Sequence, residues 1–443
     1  MLREHAEAVW RAGVAAVDSE RLVFESVRCD GSSLTLACVE LGLPEGGRVA
    51  VVGAGKAGAG MAAGFERALP SLLDRMVGWV NVPADCVRQL SAIHLHAARP
   101  AGVNEPTEAG VEGTRQILSI LDSLTEDDVC VVLISGGGSA LLPAPRAGIS
   151  LADKSAVTRL LMSGGATIDE LNCVRRHLSD VKGGRLVRHT RAKRVVSLII
   201  SDVVGDPVEV IASGPTVPDS TTAADAFRVL EPFGDRVPPN VMSVLRKSEP
   251  QVAPDFDCVS NCVIGNNETA LAACEAKALE LGYSVIKLGS DVIGVAREVG
   301  RDLVARARAA RDANPTQPVC ILSGGEPIVQ LAPKDLRGKG GRNQEVALSA
   351  GCEMWADPAG ICVLSGGTDG EDGPTDAAGG VVDGGTVRLA NELGLDPRGF
   401  LDRNDAYPFL EATGSLLKTG PTHTNVMDLH VALVEPAGIA GST

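Results

Sequence analysis

Five stretches of the chain share one syntax, a short apolar run that breaks into a glycine-rich polar loop. They are AVVGAGKAG at 50–58, VCVVLISGGGSA at 129–140, VVSLIISDVVGD at 195–206, VCILSGGEP at 319–327 and ICVLSGGTDGEDGPTDAAGG at 361–380. Continuous apolar runs of this length predict strands buried on both faces. Loops this poor in side-chain bulk cannot pack a core, so they are expected to hold ligands at the carboxyl ends of the strands. Five such edges on one side of one sheet would build one site.

Helical spacing of apolar residues fills the intervals. It predicts helices over 1–28, 60–69, 108–121, 151–162, 168–178, 267–281, 295–311 and 343–350, with Asn266 or Asn267 capping the sixth and Gly282 ending it. Further strands are expected at 76–82, 283–288, 328–331 and 429–434. The alternation predicts an α/β protein. The segment 234–262, rich in proline and charge, makes the best boundary, giving two domains at 1–250 and 251–443.

Composition narrows the function classes. Aromatic residues are only 3% of 443, so the core is built from Val, Ala, Leu and Ile. A net charge of −15 speaks against a general nucleic-acid binder, because phosphate backbones are held by positive surfaces. No run of about 18 apolar residues occurs, and residues 1–13 lack the apolar core of a signal peptide. A cytoplasmic protein with no membrane partner is expected. The eleven cysteines are scattered without zinc spacing and read as reduced thiols.

The loops carry the chemistry. Gly53, Gly55 and Gly58 form G-x-G-x-x-G, the dinucleotide fingerprint, but Lys56 stands inside it and no acid closes the next strand. A lysine at a helix start suits a phosphate or carboxylate group. Ser135, Gly136, Gly137, Gly138 and Ser139 offer amides and hydroxyls for an anion nest. A basic cluster at 175–194 reads either as a solvated helix face or, through Arg175, Lys182 and Arg185, as the lining of an anion site. Arg342 lies near the start of a helix, whose dipole adds to its charge. Glu326, Asp369, Asp202 and Asp372 are candidate carboxylates for Mg2+ or for orienting a hydroxyl. The inventory fits phosphoryl transfer. It leaves open an NAD(P)H-dependent reductase, which the fingerprint would serve.

In order along the chain, GAGKAG at 53–58, SGGGSALLPAP at 135–145, LNCVRRHLSDVKGGRL at 171–186, SDVVGDPVEVIASGPTVPD at 201–219, SGGEP at 323–327, GKGGRNQEVAL at 338–348, SGGTDGEDGPTDAAGG at 365–380 and GPTHTNVMDL at 420–429 resemble the signatures of the MOFRL-type glycerate kinases. The resemblance implies a Rossmann-like, mostly parallel sheet in the N-terminal domain, a smaller α/β C-terminal domain and a site in the cleft between them. It implies ATP-dependent phosphorylation of D-glycerate, most simply to 2-phosphoglycerate; the alternative left by the G-x-G-x-x-G motif is an NAD(P)H-dependent hydroxypyruvate reductase. Lys56, Arg342, Asp369 and Glu326 become the expected catalytic residues, the last two also holding Mg2+. Gly53, Gly55, Gly58, Ser135 to Ser139, Arg175, Asp202, Asn343, Thr422 and Asn425 become expected binding residues. Oligomeric state stays open. The chain departs from the family's pattern at His423 and over 96–106.

Overall fold

The computed structural model describes residues 1–247, 256–313 and 316–436. The chain falls into two compact units, one of residues 19–264 and one of residues 1–18 with 265–443. The expected boundary at 250/251 lies outside the described residues.

In the first unit a small antiparallel meander, β1 (Val27–Asp30), β2 (Ser33–Leu36) and β3 (Val39–Gly42), occupies the end of what periodicity reads as helix. Only Leu2–Ala16 and Ser19–Ser26 are helical there. The main sheet comprises β4 (Val49–Ala54), β5 (Met76–Pro83), β6 (Ile93–Arg99), β7 (Val129–Ile134), β8 (Arg194–Ile200) and β9 (Val259–Gly265), in the order β6-β5-β4-β7-β8-β9. The pairings from β6 through β8 are parallel. This is the doubly wound order, in which the chain reverses direction between the first and fourth strands and leaves a crevice at their carboxyl ends. The core strands β4 and β7 are buried along their whole length, which is why they read as unbroken apolar runs.

The second sheet comprises β10 (Ser284–Lys287), β11 (Val319–Gly325), β12 (Ile361–Gly367), β13 (Gly379–Asp383), β14 (Leu416–Leu417) and β15 (Asp428–Val434), in the order β10-β11-β15-β12-β13-β14. Both β11 and β12 run antiparallel to β15 between them, so Gly325 and Gly367 face the same residue, Asp428. The first helix of the chain packs here. Trp10 donates its indole N–H to the Gly366 carbonyl at 3.1 Å, and Arg3 pairs with Asp383. Gly13 lies so close to Cys274 and Leu429 that a side chain could not fit.

Two expectations fail. The five glycine-ended strands do not share a sheet, since three lie in the first and two in the second. The segment 328–331 forms a single bridge, Ile328 to Val295, because Ile328 and Leu331 face solvent and bury nothing. Among the described residues no helix is long and apolar enough to cross a membrane.

Candidate active site

In the first unit the loops after β4 and β7 flank the crevice and are tied together. Lys56 N–H donates to the Gly136 carbonyl at 2.8 Å, Ala57 N–H to Ser135 Oγ at 3.0 Å and Gly55 N–H to the Asn81 carbonyl at 3.2 Å. Gly58 N–H turns back to Gly55. The amides of the G-x-G-x-x-G loop are therefore spent within the protein, and what this loop offers a ligand is the Lys56 side chain. The second loop differs. The N–H groups of Gly136, Gly137 and Ser139 donate to none of the described residues. Gly137 needs its left-handed φ of 76°, and an added Cβ would meet an Arg99 guanidinium nitrogen at 3.2 Å and Lys56 Cγ at 3.5 Å. Arg99 thus joins the loop from the end of β6, only 4% exposed.

Ser139 collects two cations. Arg175 Nη2 and Lys182 Nζ each donate to Ser139 Oγ at 2.7 Å, and Lys182 also reaches the Ser139 carbonyl at 2.9 Å. A hydroxyl has two lone pairs, so both are used and its proton is left for Ser213 Oγ at 3.1 Å. Ala212 and Ser213 hold left-handed φ values of 51° and 65°, a strain kept by the bond from Gly183 N–H to the Ser213 carbonyl. At an effective dielectric constant of about 20, two like charges ~5 Å apart repel by roughly 3 kcal/mol. Burial, then Arg175 and Lys154, holds the Lys182 ammonium well below the ordinary lysine range. Asp202 follows β8 at the same end of the sheet, half-buried. Arg185 goes elsewhere, into a cluster with His177, Arg176 and Asp219.

In the second unit the helix Arg342–Met354 starts at Gly341 and is capped from a distance. Asp372 accepts from Asn343 N–H at 3.1 Å and Gln344 N–H at 2.8 Å, two donors that a helix start leaves unpaired. Its carboxylate sits where a Gly341 side chain would be. Burial pushes the Asp372 carboxyl up to about 7, against those amides. Asp372 is a helix cap and not the metal ligand its sequence position suggests.

Arg342, the first helical residue, is braced by two carboxylates. Nε and Nη2 meet Asp428 at 2.6 and 3.1 Å, and Nη1 meets Glu326 Oε1 at 2.8 Å. Asp428 is fully buried at the start of β15, between the ends of β11 and β12. Burial works against the charge on Arg342, but Asp428 and then Glu326 outweigh it and hold the guanidinium above the ordinary arginine range. Burial raises the Asp428 carboxyl, Arg342 opposing. Asp369 lies beside this pair. Its Oδ1 accepts from Glu371 N–H at 3.1 Å, and its carbonyl accepts from Thr422 N–H at 3.1 Å. Asn425 Oδ1 accepts from the N–H of Met427, which holds a left-handed φ of 70°. Asn343 Oδ1 accepts from Ser365 Oγ at 2.6 Å, and Ser365 also meets His430 Nδ1. The structure thus brings Arg342, Glu326, Asp369, Asn343, Thr422 and Asn425 to one edge of the second sheet. Lys56, Ser135 to Ser139, Arg175 and Asp202 gather at one edge of the first.

Among the described residues no three His, Cys, Asp or Glu side chains form a ready metal cluster. Mg2+ carried by nucleotide phosphates asks for only one or two protein carboxylates, a requirement that Asp369 and Glu326 fit, since Arg342 takes only Oε1 of Glu326.

Two family profiles match the chain, one described as a domain of unknown function (DUF4147) over residues 5–246 and the MOFRL family over 319–428. A D-glycerate 2-kinase from Thermotoga maritima is 40% identical over 75% of this chain and 79% of its own. The chain belongs to the MOFRL-type glycerate kinase family. The crystal structure of a Thermotoga maritima glycerate kinase superposes with a TM-score of 0.85 at 35% identity, covering 98% of this chain and 99% of that one. Another relative, from Agrobacterium vitis, is named as a hydroxypyruvate reductase and is 40% identical over 88% of this chain and 87% of its own.

The structure also brings forward residues that sequence reasoning passed over. Asp428 was visible only as the acid closing GPTHTNVMD, and its pairing with Arg342 spans 86 positions. Arg99 lies in the segment 96–106, marked in the sequence only as a departure from the family's pattern, and it ends β6.

Proposed function

We propose that this protein transfers the γ-phosphoryl group of ATP to the 2-hydroxyl of D-glycerate, giving 2-phosphoglycerate and ADP. The observation that carries the reading is Arg342, fixed by Asp428 and Glu326 at a helix start where two strand ends converge. A cation locked in place before the substrate arrives is what phosphoryl transfer needs, because positioning and charge stabilisation make up nearly all of its catalysis. Lys56 and Arg342 neutralise charge that grows on the transferring group. Asp369 orients the hydroxyl and accepts its proton as the oxygen attacks phosphorus and the bond to the β-phosphate oxygen breaks. Asp369 and Glu326 would hold Mg2+, which when bound supplies further neutralisation of the phosphates. The open amides of Gly136, Gly137 and Ser139 donate to phosphate oxygens. The N-terminal glycines serve by shape: Gly53 and Gly55 let the chain lie against Leu133 of β7 and Ser135, and Gly58 lets the helix start lie against Val80 and Val82 of β5.

The test is ADP release by the pure protein with ATP, Mg2+ and D-glycerate, followed by NMR of the product. Phosphorus coupled to the C2 proton supports the proposal, coupling to the C3 protons moves the acceptor to the other hydroxyl, and absence of turnover ends the reading. Hydroxypyruvate reduction is the second reading, favoured by one relative's name and by G-x-G-x-x-G opening a doubly wound sheet. Against it, the fingerprint amides are spent, and the first acid after β5, Asp85, lies exposed on a turn. Oxidation of NADH on adding hydroxypyruvate would establish it.

A further inference from the structure

Beside Ser139 the first unit holds a cavity of about 390 Å3 into which Lys154, Arg175 and Lys182 all face. Most of its wall area is apolar, from Pro143, Leu151 and Leu171 among others, and Glu105 and Arg159 also line it. Lys182 is 3% exposed, and its recorded bonds go only to hydroxyls and carbonyls. Arg175 spends one nitrogen on Ser139 and leaves Nε and Nη1 without an acceptor among the described residues. The Lys154 ammonium makes no hydrogen bond or ion pair with them, the residue bonding only through its backbone. Buried cations are ordinarily matched by a carboxylate, because an unmatched charge in low dielectric is costly. Here Lys182 is buried and Arg175 and Lys154 are half-buried, and among the described residues no carboxylate is in bonding contact with the three side chains, although Glu105 lines the same cavity and Asp180 acts on Lys154 from a distance.

The cavity's chemistry says what would match them. A planar guanidinium with two open donors suits a carboxylate, which it can bind through both oxygens. The volume lies at the small end of ligand sites, of the order of 300–1,000 Å3, and apolar walls suit a short carbon skeleton better than a chain of phosphates.

We propose that this cavity seats the carboxylate of the acceptor, with Arg175 and Lys182 binding it and Lys154 behind them, so that the enzyme selects small 2-hydroxy acids over neutral polyols. The inference rests on the glycerate kinase reading and deepens it. Burial and then Arg175 bring the Lys154 ammonium down to about 7, with Asp180 opposing and Lys182 nearby. A bound carboxylate restores the lost charge, so binding at pH 8 takes up protons.

The experiment is calorimetry of D-glycerate binding without nucleotide, in two buffers of different ionisation enthalpy, together with steady-state kinetics of Arg175→Met, Lys182→Met and the milder Arg175→Lys. Circular dichroism checks that each variant folds, and Arg175→Lys carries the test if the others do not. The expected result is binding of D-glycerate weakened about 100-fold and its KM raised alike, the KM for ATP held within about threefold, and the preference for D-glycerate over D-glyceraldehyde reduced by the same factor. Proton uptake by the parent enzyme should shrink in Lys154→Met. A rise in the KM for ATP with glycerate binding intact would make the cavity a phosphate site and overturn the inference. Unchanged binding of both would also overturn it while leaving the kinase reading in place. Conversely, Arg175-dependent binding of D-glycerate by a protein that never releases ADP would keep the seat and remove the kinase.

Discussion

Replacing Asp428 by Asn tests whether Arg342 is held in place or simply lies nearby. The substitution keeps the shape of the side chain and removes its charge; of the two bonds to Arg342, at 2.6 and 3.1 Å, one persists to the amide oxygen and the other is lost, because the amide NH2 donates and cannot accept. A bond to a charged group contributes about 1.5–3 kcal/mol, so the loss is about 2 kcal/mol. Severing a wholly buried pair can cost ~3–5 kcal/mol. Arg342 keeps Glu326 and is 34% exposed, so solvent recovers part of the difference. For a unit of this size, about 2 kcal/mol corresponds to a fall of roughly 4–8 °C in melting temperature. Activity should fall about 10- to 100-fold in kcat, because a loosened guanidinium no longer meets the transferring group in one geometry. Scanning calorimetry of Asp428→Asn, Arg342→Met and the double variant closes the cycle. The argument expects a coupling of about 2 kcal/mol, since either change alone breaks the same bonds. Additive effects, within ~0.5 kcal/mol, would refute it and make Asp428 an ordinary buried residue.

The second unit also carries two opposed titrations. Asp372 is raised to about 7, so the folded state holds a proton that the unfolded chain has already lost, and this term lowers stability as pH rises from about 4 to 7. Burial, then Arg342, lowers His430 to about 4, so the unfolded chain binds the extra proton between about 4 and 6.5 and stability rises with pH there. Melting temperatures across pH 4–7 should steepen upward in Asp372→Asn and turn downward in His430→Gln; identical profiles in both variants and the parent would contradict the assignment. Lys56→Ala and Asp369→Asn should each lower kcat by about 100-fold or more, by analogy with the loss of one preorganised charge at a transition state, and unchanged turnover removes that residue from the mechanism. Gly341→Ala pushes a methyl into the Asp372 carboxylate and should cost about 1–2 kcal/mol of helix capping, with Asp372→Ser recovering most of it in a thermal melt.

The buried strands were legible because both faces are covered and their sequences carry no alternation. β7 begins and ends where its apolar run does, and Asn266 and Thr107 cap their helices as side chains with nearby acceptor oxygens should. The meander at Val27–Gly42 was not legible, since its strands are four residues long and half exposed. The five glycine edges were found, yet their division between two sheets could not be, because strand pairing is settled by contacts distant in sequence. The same holds for Asp428 and Asp372. Each acts on a helix start 86 or 29 positions away, and an acid in a glycine loop reads alike whether it caps a helix, braces an arginine or waits for a metal.

Charge separates the two anion-handling clusters in a way that composition conceals. Arg342 is one cation among Asp428, Glu326 and Asp369, so its surroundings are over-neutralised and favour a phosphate that arrives with a divalent cation. Arg175, Lys182 and Lys154 have no ion pair with a carboxylate among the described residues, though Glu105 lines their cavity, and favour a bare anion. An acidic protein of net charge −15 thus concentrates unmatched positive charge in one cavity. Two substrates of a kinase, a metal-bound nucleotide and a free hydroxy acid, differ in the same respect. On the proposal above, the carboxylate of the hydroxy acid goes to the cavity and the metal-bearing end of the nucleotide to the Arg342 cluster, and salt should report it: added chloride ought to raise the KM for glycerate more steeply than that for Mg2+–ATP.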